Sequence, residues 1–317
     1  MLGGEQQSLS QQGKRMSNLL EKLSNDKLIS PPTWLPLNTI YLTITGSVAY
    51  GAADTTVNSD VDIYGVCIPS KLELFPHLAG KLYGFDDINC FQQYQKHHVF
   101  DSHALNGKGI EYDINIYNIV KFFKLLMANN PSCIDALFTS HEHILSISQA
   151  GNVLRENRKL FLHKGCWAKF KGYSYSMLHK MDSKTPKKGS NRFKLREKFG
   201  FDVKYGMHIV RLLLEAEQIL IEGDLDLMRH KEQLKSIRRG EWSIKQIKEW
   251  AQNKEKQLEE LYVKSPLPSG PDKTKIKNIL LECLEIHYGP LKNIIVQPDK
   301  STLLLRSIKE QIEKAGI

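Results

Sequence analysis

The chain has 317 residues, with 41% hydrophobic and 25% charged residues, a formal net charge of +9 and a pI of about 9.1. That length suggests about two domains, and that charge favours an anionic partner. The five cysteines are scattered and form no C-x-x-C pair, and no apolar run reaches the ~18 residues of a membrane span, so a disulfide framework, a zinc site and a membrane anchor are all disfavoured.

Residues 1–16 are rich in Gln, Ser and Gly and read as a disordered tail without a signal core, which points to an intracellular, cytoplasmic setting. Leu19, Leu20, Leu23 and Leu28 then mark a short amphipathic helix, ended by Pro31-Pro32. Residues 39–45 (TIYLTIT) are β-branched and aromatic, the signature of a buried strand. Gly46-Ser47 ends it, and a helix is expected to start at Val48–Gly51. Residues 61–68 predict a second strand, 110–116 (IEYDINI) a third with alternating polarity, and 119–127 a helix stopped by Asn129-Asn130-Pro131. Residues 71–108 carry no clear pattern.

After residue 131 helical periodicity takes over, at about 132–139, 152–158, 164–181, 203–222, 226–238, 243–262, 273–288 and 301–314. The sequence thus predicts an α+β protein: a small mixed sheet domain over 17–131, then a mostly helical domain over 132–317 with a basic loop at about 184–204 and a linker at about 264–272.

A strand running into Gly46-Ser47 offers backbone N–H groups, a hydroxyl and the positive end of a helix, which suits a polyphosphate. Asp60 and Asp62, two apart at a strand start, share a face. Such a pair repels itself unless solvated or neutralised, and a divalent cation with hard-oxygen preference, such as magnesium, neutralises it. A neighbouring strand should supply a third acid. Asp113 is the first choice and Glu111 the reserve.

The string TGSVAYGAADTTVNSDVDIYGVCIP resembles the DNA-polymerase-β-like nucleotidyltransferases, and more narrowly the RNA-ligase-associated type, RlaP. EYDINIYNIVKFFKLLMANNPS, FLHKGCWAKFKGYSYSMLHKM and DVKYGMHIVRLLLEAEQIL extend the resemblance over about residues 40–225. It implies a short mixed sheet with flanking helices. Gly46 and Ser47 would hold a nucleoside triphosphate. Asp60 and Asp62 would hold two magnesium ions, or manganese in their place, and Asp113 would complete the site and help activate a hydroxyl. The implied reaction is in-line attack on the α-phosphate with release of pyrophosphate. Lys204, His208 and Arg211 fall on one helical face at i, i+4 and i+7, and in the matching segment that face would contact the nucleotide.

Residues 184–204 hold eight basic residues against two acidic, interleaved with Phe193, Phe199 and Phe201, a composition that can grip a phosphate backbone and stack bases. With the net charge and the family's association, this points to an RNA end as acceptor. Transfer to a partner protein, as in nucleotidyl-transferring antitoxins, and a non-catalytic RNA-binding module are the alternatives. Tyr173 and Tyr175 read as packing residues, as do Trp242 and Trp250. His97, His98, His103, His141 and His143 have no zinc-like spacing and read as surface or loop residues. The oligomeric state is left open.

Overall fold

The computed structural model describes residues 19–53, 60–183, 188, 191–294, 308 and 311–312. The expected tail and nearly all of the expected helix at 301–314 lie outside these residues. The frame is a five-stranded mixed sheet: β1 (Thr39–Thr45), β2 (Val61–Cys67), β3 (Gln93–Asp101), β4 (Ile110–Asn118) and β5 (Ile144–Ile147), in the order β3-β4-β2-β1-β5. Only β2 and β4 pair in parallel; the other neighbours are antiparallel.

β1 sits inside the sheet, and its β-branched run is buried on both faces. On one face Leu42, Ile63, Ile114 and Ile116 meet Leu20 and Leu23 of α1 (Leu19–Asn25). The other face turns to helices. A single turn, α2 (Gly46–Ala49), follows β1 directly. α3 (Ile119–Met127) follows β4 and is capped by Asn118, whose side chain accepts from Val120 N–H. α4 (Pro131–Phe138) starts at the Asn130-Pro131 stop, with Asn130 as its cap.

The later helices are α5 (Gln149–Glu156), α6 (Cys166–Ser183), α7 (Asn191–Phe199), α8 (Val203–Glu222), α9 (Lys231–Arg238), α10 (Ile244–Lys264) and α11 (Lys273–Tyr288). α8 is apolar around most of its circumference and packs against α6, α9 and α10. Gly223 ends it in the left-handed conformation that a helix C-terminus favours. Buried residues of the sheet side (Ile40, Val66, Phe122) and of the later helices (Phe170, Leu213, Ile247) form one continuous cluster. Trp242 and Trp250 pack edge to face, 6.2 Å apart, as expected.

Three expectations need correction. Residues 191–199 form a helix, not a loop: Leu195 and Phe199, four apart, lay an apolar stripe on the core. The rest of that stretch, except Lys188 and residues 200–204, lies outside the described residues. The segment 264–272 is tied down, with Ser265 Oγ donating to Leu220 O (2.6 Å) and Lys164 N–H to Pro268 O (2.9 Å). Tyr173 and Tyr175 are exposed, at 37% and 54%. All five cysteines are free, and no helix among the described residues is long and apolar enough to cross a membrane.

Candidate active site

Side-chain alternation along β2 sends Ile63, Gly65 and Cys67 to one face and Asp62, Tyr64 and Val66 to the other. In β4, Tyr112, Ile114 and Ile116 take the first face, and Glu111, Asp113 and Asn115 the second. Asp62 and Asp113 are register partners across the parallel pair, so the two carboxylates stand side by side. Asp60 lies just before β2 and is exposed. All three border one cleft of about 330 Å³.

Gly46, with φ +67°, turns the chain from β1 toward the cleft. A Cβ built there would fall on the Asp62 carboxylate, with Cγ only 2.9 Å away. Glycine is therefore required both by the backbone conformation and by the close approach. α2 is a single turn of four residues, so the helix dipole expected at Ser47 is small. The local contribution comes from the bare backbone at Gly46 and the groups of Ser47. Gly46→Ala is expected to lower kcat/KM for transfer at least about 100-fold, the scale of a 1 Å misplacement of a reacting group. Near-normal kinetics in that variant would refute the close-approach argument.

Burial first, then the Asp113 and Asp60 carboxylates, push Asp62 up to about 6. Among the described residues, neither Asp60 nor Asp62 has an ion-pair partner. Carboxylates crowded together without a counter-ion are the donor set that a hard divalent cation fits. Still, no three His, Cys, Asp or Glu side chains among the described residues already stand as a ready metal cluster.

The reason lies in β3. A register shift between Lys96 and Val99 puts His98 at φ +55° and turns its N–H onto Asp113 Oδ1 (2.8 Å). His97 Nδ1 stands 3.4 Å from Asp113 Oδ2. These bonds hold Asp113 toward the sheet edge. His98 Nδ1 also pairs with Glu111, which keeps that reserve acid out of the cleft lining. His97 and His98 are surface residues, as expected, but they stand in a strand beside the acids rather than in a loop. Two adjacent histidines before an apolar Val-Phe pair gave no periodicity to signal this.

The opposite wall is cationic. Lys204, His208 and Arg211 all face the cleft from α8, as their spacing predicts. Asp202 caps the helix, accepting from Lys204 N–H (3.0 Å). Sequence reasoning missed Arg238 of α9, and it assigned Arg192 of α7 to a loop; both line the cleft. Arg192 pairs with Asp202 (2.9 Å) and stacks over Tyr205, 4.5 Å from the ring centre. Burial, then Arg238 and Arg192, lower Lys204. Burial, then Arg211, Arg192, Arg238 and Lys204, hold His208 well below its ordinary value, so it is neutral at pH 7.

Arg211 is committed elsewhere. Its Nη1 donates to Asp135 and to both oxygens of Glu215 (2.9 and 3.0 Å), and its guanidinium lies over the Tyr50 ring, 4.4 Å from the centre. Tyr50 in turn donates to Asp135 (2.8 Å). Arg211 thus braces the residue that follows α2, while its buried Nε has no partner among the described residues.

The model of the family described as "RlaP: RNA repair pathway DNA polymerase beta family" matches residues 14–280. Among solved structures, the chain is similar to a nucleotidyltransferase-like protein from Exiguobacterium sibiricum: 13% identity, 95% of this chain, 92% of that chain, TM-score 0.26. It is also similar to E. coli MS115-1 CdnC solved with ATP: 17% identity, 90% of this chain, 92% of that chain, TM-score 0.19. No curated protein matches it.

Proposed function

The chain belongs to the RlaP family of nucleotidyltransferases, and on that premise we propose that it moves a nucleoside monophosphate from a nucleoside triphosphate to a hydroxyl at an RNA end. The carrying observation is one cleft with three carboxylates on the sheet side, of which Asp60 and Asp62 have no ion-pair partner among the described residues, and Arg192, Lys204 and Arg238 facing them. The cations suit a triphosphate, and the acids suit the metal that such a substrate brings.

In this reading Asp60, Asp62 and Asp113 would hold divalent cations, two magnesium ions in the full form. Bound there, they would stabilise the charge on the attacking and leaving oxygens. Gly46 lets the polyphosphate approach the backbone, and Ser47 offers its hydroxyl. Lys204, with Arg192 and Arg238, neutralises the β- and γ-phosphates, and neutral His208 supplies a hydrogen bond. Arg211 acts through Tyr50 and Asp135, keeping α2 in place. The acceptor oxygen bonds to the α-phosphorus, the bond to the bridging oxygen breaks, and pyrophosphate leaves while Asp113 takes the hydroxyl proton. The helical part, 132–317, contributes the phosphate-binding wall to a catalytic part at 17–131.

The RNA acceptor rests on the family description and on the +9 charge. It is tested by supplying α-labelled triphosphates with short RNAs and following the label. Label in RNA is the expected result; label in a protein instead would move the acceptor to a partner chain. Arg238→Ala is expected to raise KM for the triphosphate about tenfold with a smaller change in kcat, because its charge meets phosphates already bound in the ground state. An unchanged KM would remove Arg238 from the phosphate wall.

A further inference from the structure

A sheet face covered by helices is ordinarily apolar. The face that carries the acids is apolar toward β1, where Val66 is fully buried, but polar toward β3. Register across β2, β4 and β3 lays side chains in rows: after Asp62–Asp113 come Tyr64–Asn115–Gln95, then Val66–Tyr117–Gln93. Gln95 Nε2 donates to Asn115 Oδ1 (2.6 Å). The Tyr64 and Tyr117 rings stand 5.9 Å apart. Lys121 lies 5.8 Å from the Tyr117 ring centre and donates to Gln93 (2.6 Å). Beyond them Tyr173 of α6 is exposed, with its hydroxyl accepting from Asn130 Nδ2 (2.8 Å). Its phenol is close enough to Tyr117 for the two to interact electrostatically.

We infer that this strip of Tyr64, Asn115, Gln95, Tyr117, Lys121 and Tyr173 is the acceptor site, and that it holds the last few nucleotides of a single-stranded RNA. The inference rests on the transferase reading above and names where its acceptor lies. Three features select the ligand. The strip begins at the acid row, where an acceptor hydroxyl must be delivered. It combines phenol rings, exposed at Tyr173 and half-buried at Tyr64 and Tyr117, which stack on bases of any sequence, with the exposed Gln95 amide, held by buried Asn115, which hydrogen-bonds base edges, and the half-buried Lys121 ammonium for the backbone. Two steps of two residues along the strands give about 13 Å, room for a few nucleotides at the ~3.4 Å rise of a stacked strand. A duplex presents no free base faces to such a strip, so a single-stranded end is the form that fits.

The test uses the full chain and short single-stranded RNAs, with Gln95→Ala, Tyr173→Ala and Tyr173→Phe, each checked for an unchanged melting temperature. Gln95 and Tyr173 are exposed, so all three variants are expected to fold. KM for RNA should rise about tenfold in Tyr173→Ala and several-fold in Gln95→Ala. Tyr173→Phe, which keeps the ring, should stay within about twofold of the wild type. Equilibrium affinity for the triphosphate without RNA should not change in any of them. If the wild type labels RNA and both alanine variants keep its KM, the strip is not the acceptor site, and the transferase reading stands. If the wild type labels no RNA, the RNA-end reading fails and the strip falls with it.

Discussion

Asp62→Ala is expected to lower nucleotidyl transfer by about 10³-fold or more, equivalent to about 4 kcal/mol of transition-state stabilisation, while the protein stays folded. Asp62 is half-buried, stands in register with Asp113, and occupies the place where a Cβ at position 46 would fall. Asp62→Asn separates charge from shape and should lose activity to a similar extent. It should also be more stable than the wild type without metal at pH 7. The folded-state value of Asp62 is raised from 3.8 to about 6, so the folded state favours the protonated acid. The destabilisation is therefore absent below about 3.8, grows as pH rises to about 6, and is complete above it. The gain in Asp62→Asn should be about 2–3 kcal/mol at pH 7 and vanish near pH 4. Divalent metal should raise the melting temperature of the wild type more than that of Asp62→Asn. A variant with full activity, or with no pH-dependent gain in stability, would contradict the role given to this carboxylate.

The second large effect is on the fold. Arg211→Met is expected to destabilise the protein by about 3–5 kcal/mol, because it leaves Asp135 and Glu215 buried without their shared cation. That corresponds to a fall of about 10 °C in melting temperature for a chain of this size. Restoring neutrality with Asp135→Asn and Glu215→Gln in the same chain should recover most of the loss. Burial, against the pull of Arg211, pushes Glu215 up from 4.5 to about 8, with Asp135 adding to the rise. Because that folded-state value is raised, wild-type stability should fall as pH climbs from about 4.5 to about 8, and Glu215→Gln should flatten this slope. Chemical denaturation across pH measures both; an Arg211→Met variant melting within about 2 °C of the wild type would overturn the argument.

What was legible in the sequence follows from where the apolar signal lies. β1 announces itself by a β-branched run, and β4 by alternation, because one or both faces are buried. β3 (QYQKHHVFD) was missed because it is an edge strand with mostly exposed side chains, so neither face carries an apolar row. β5 is four residues long and no deeper than half-buried, too short to show a period. Gly46, Ser47, Asp60, Asp62 and Asp113 were readable because local turn chemistry and strand spacing place them. Arg192 and Arg238 were not assigned to the cleft, since they come from helices far along the chain and only tertiary packing brings them there. Arg211 was readable as cleft-facing, but its partner Asp135 lies 76 residues earlier and left no local sign of the buried ion cluster.

The most direct measurement supplies the enzyme with magnesium, RNA and a triphosphate labelled either at the α- or at the γ-phosphorus. The account predicts one α-label gained by RNA for each pyrophosphate released, no label transferred from the γ-position, and loss of both products in Asp62→Asn. Release of inorganic phosphate from the γ-position, with no α-label in any acceptor, would mean that the cleft hydrolyses or transfers the terminal phosphate and would contradict the account.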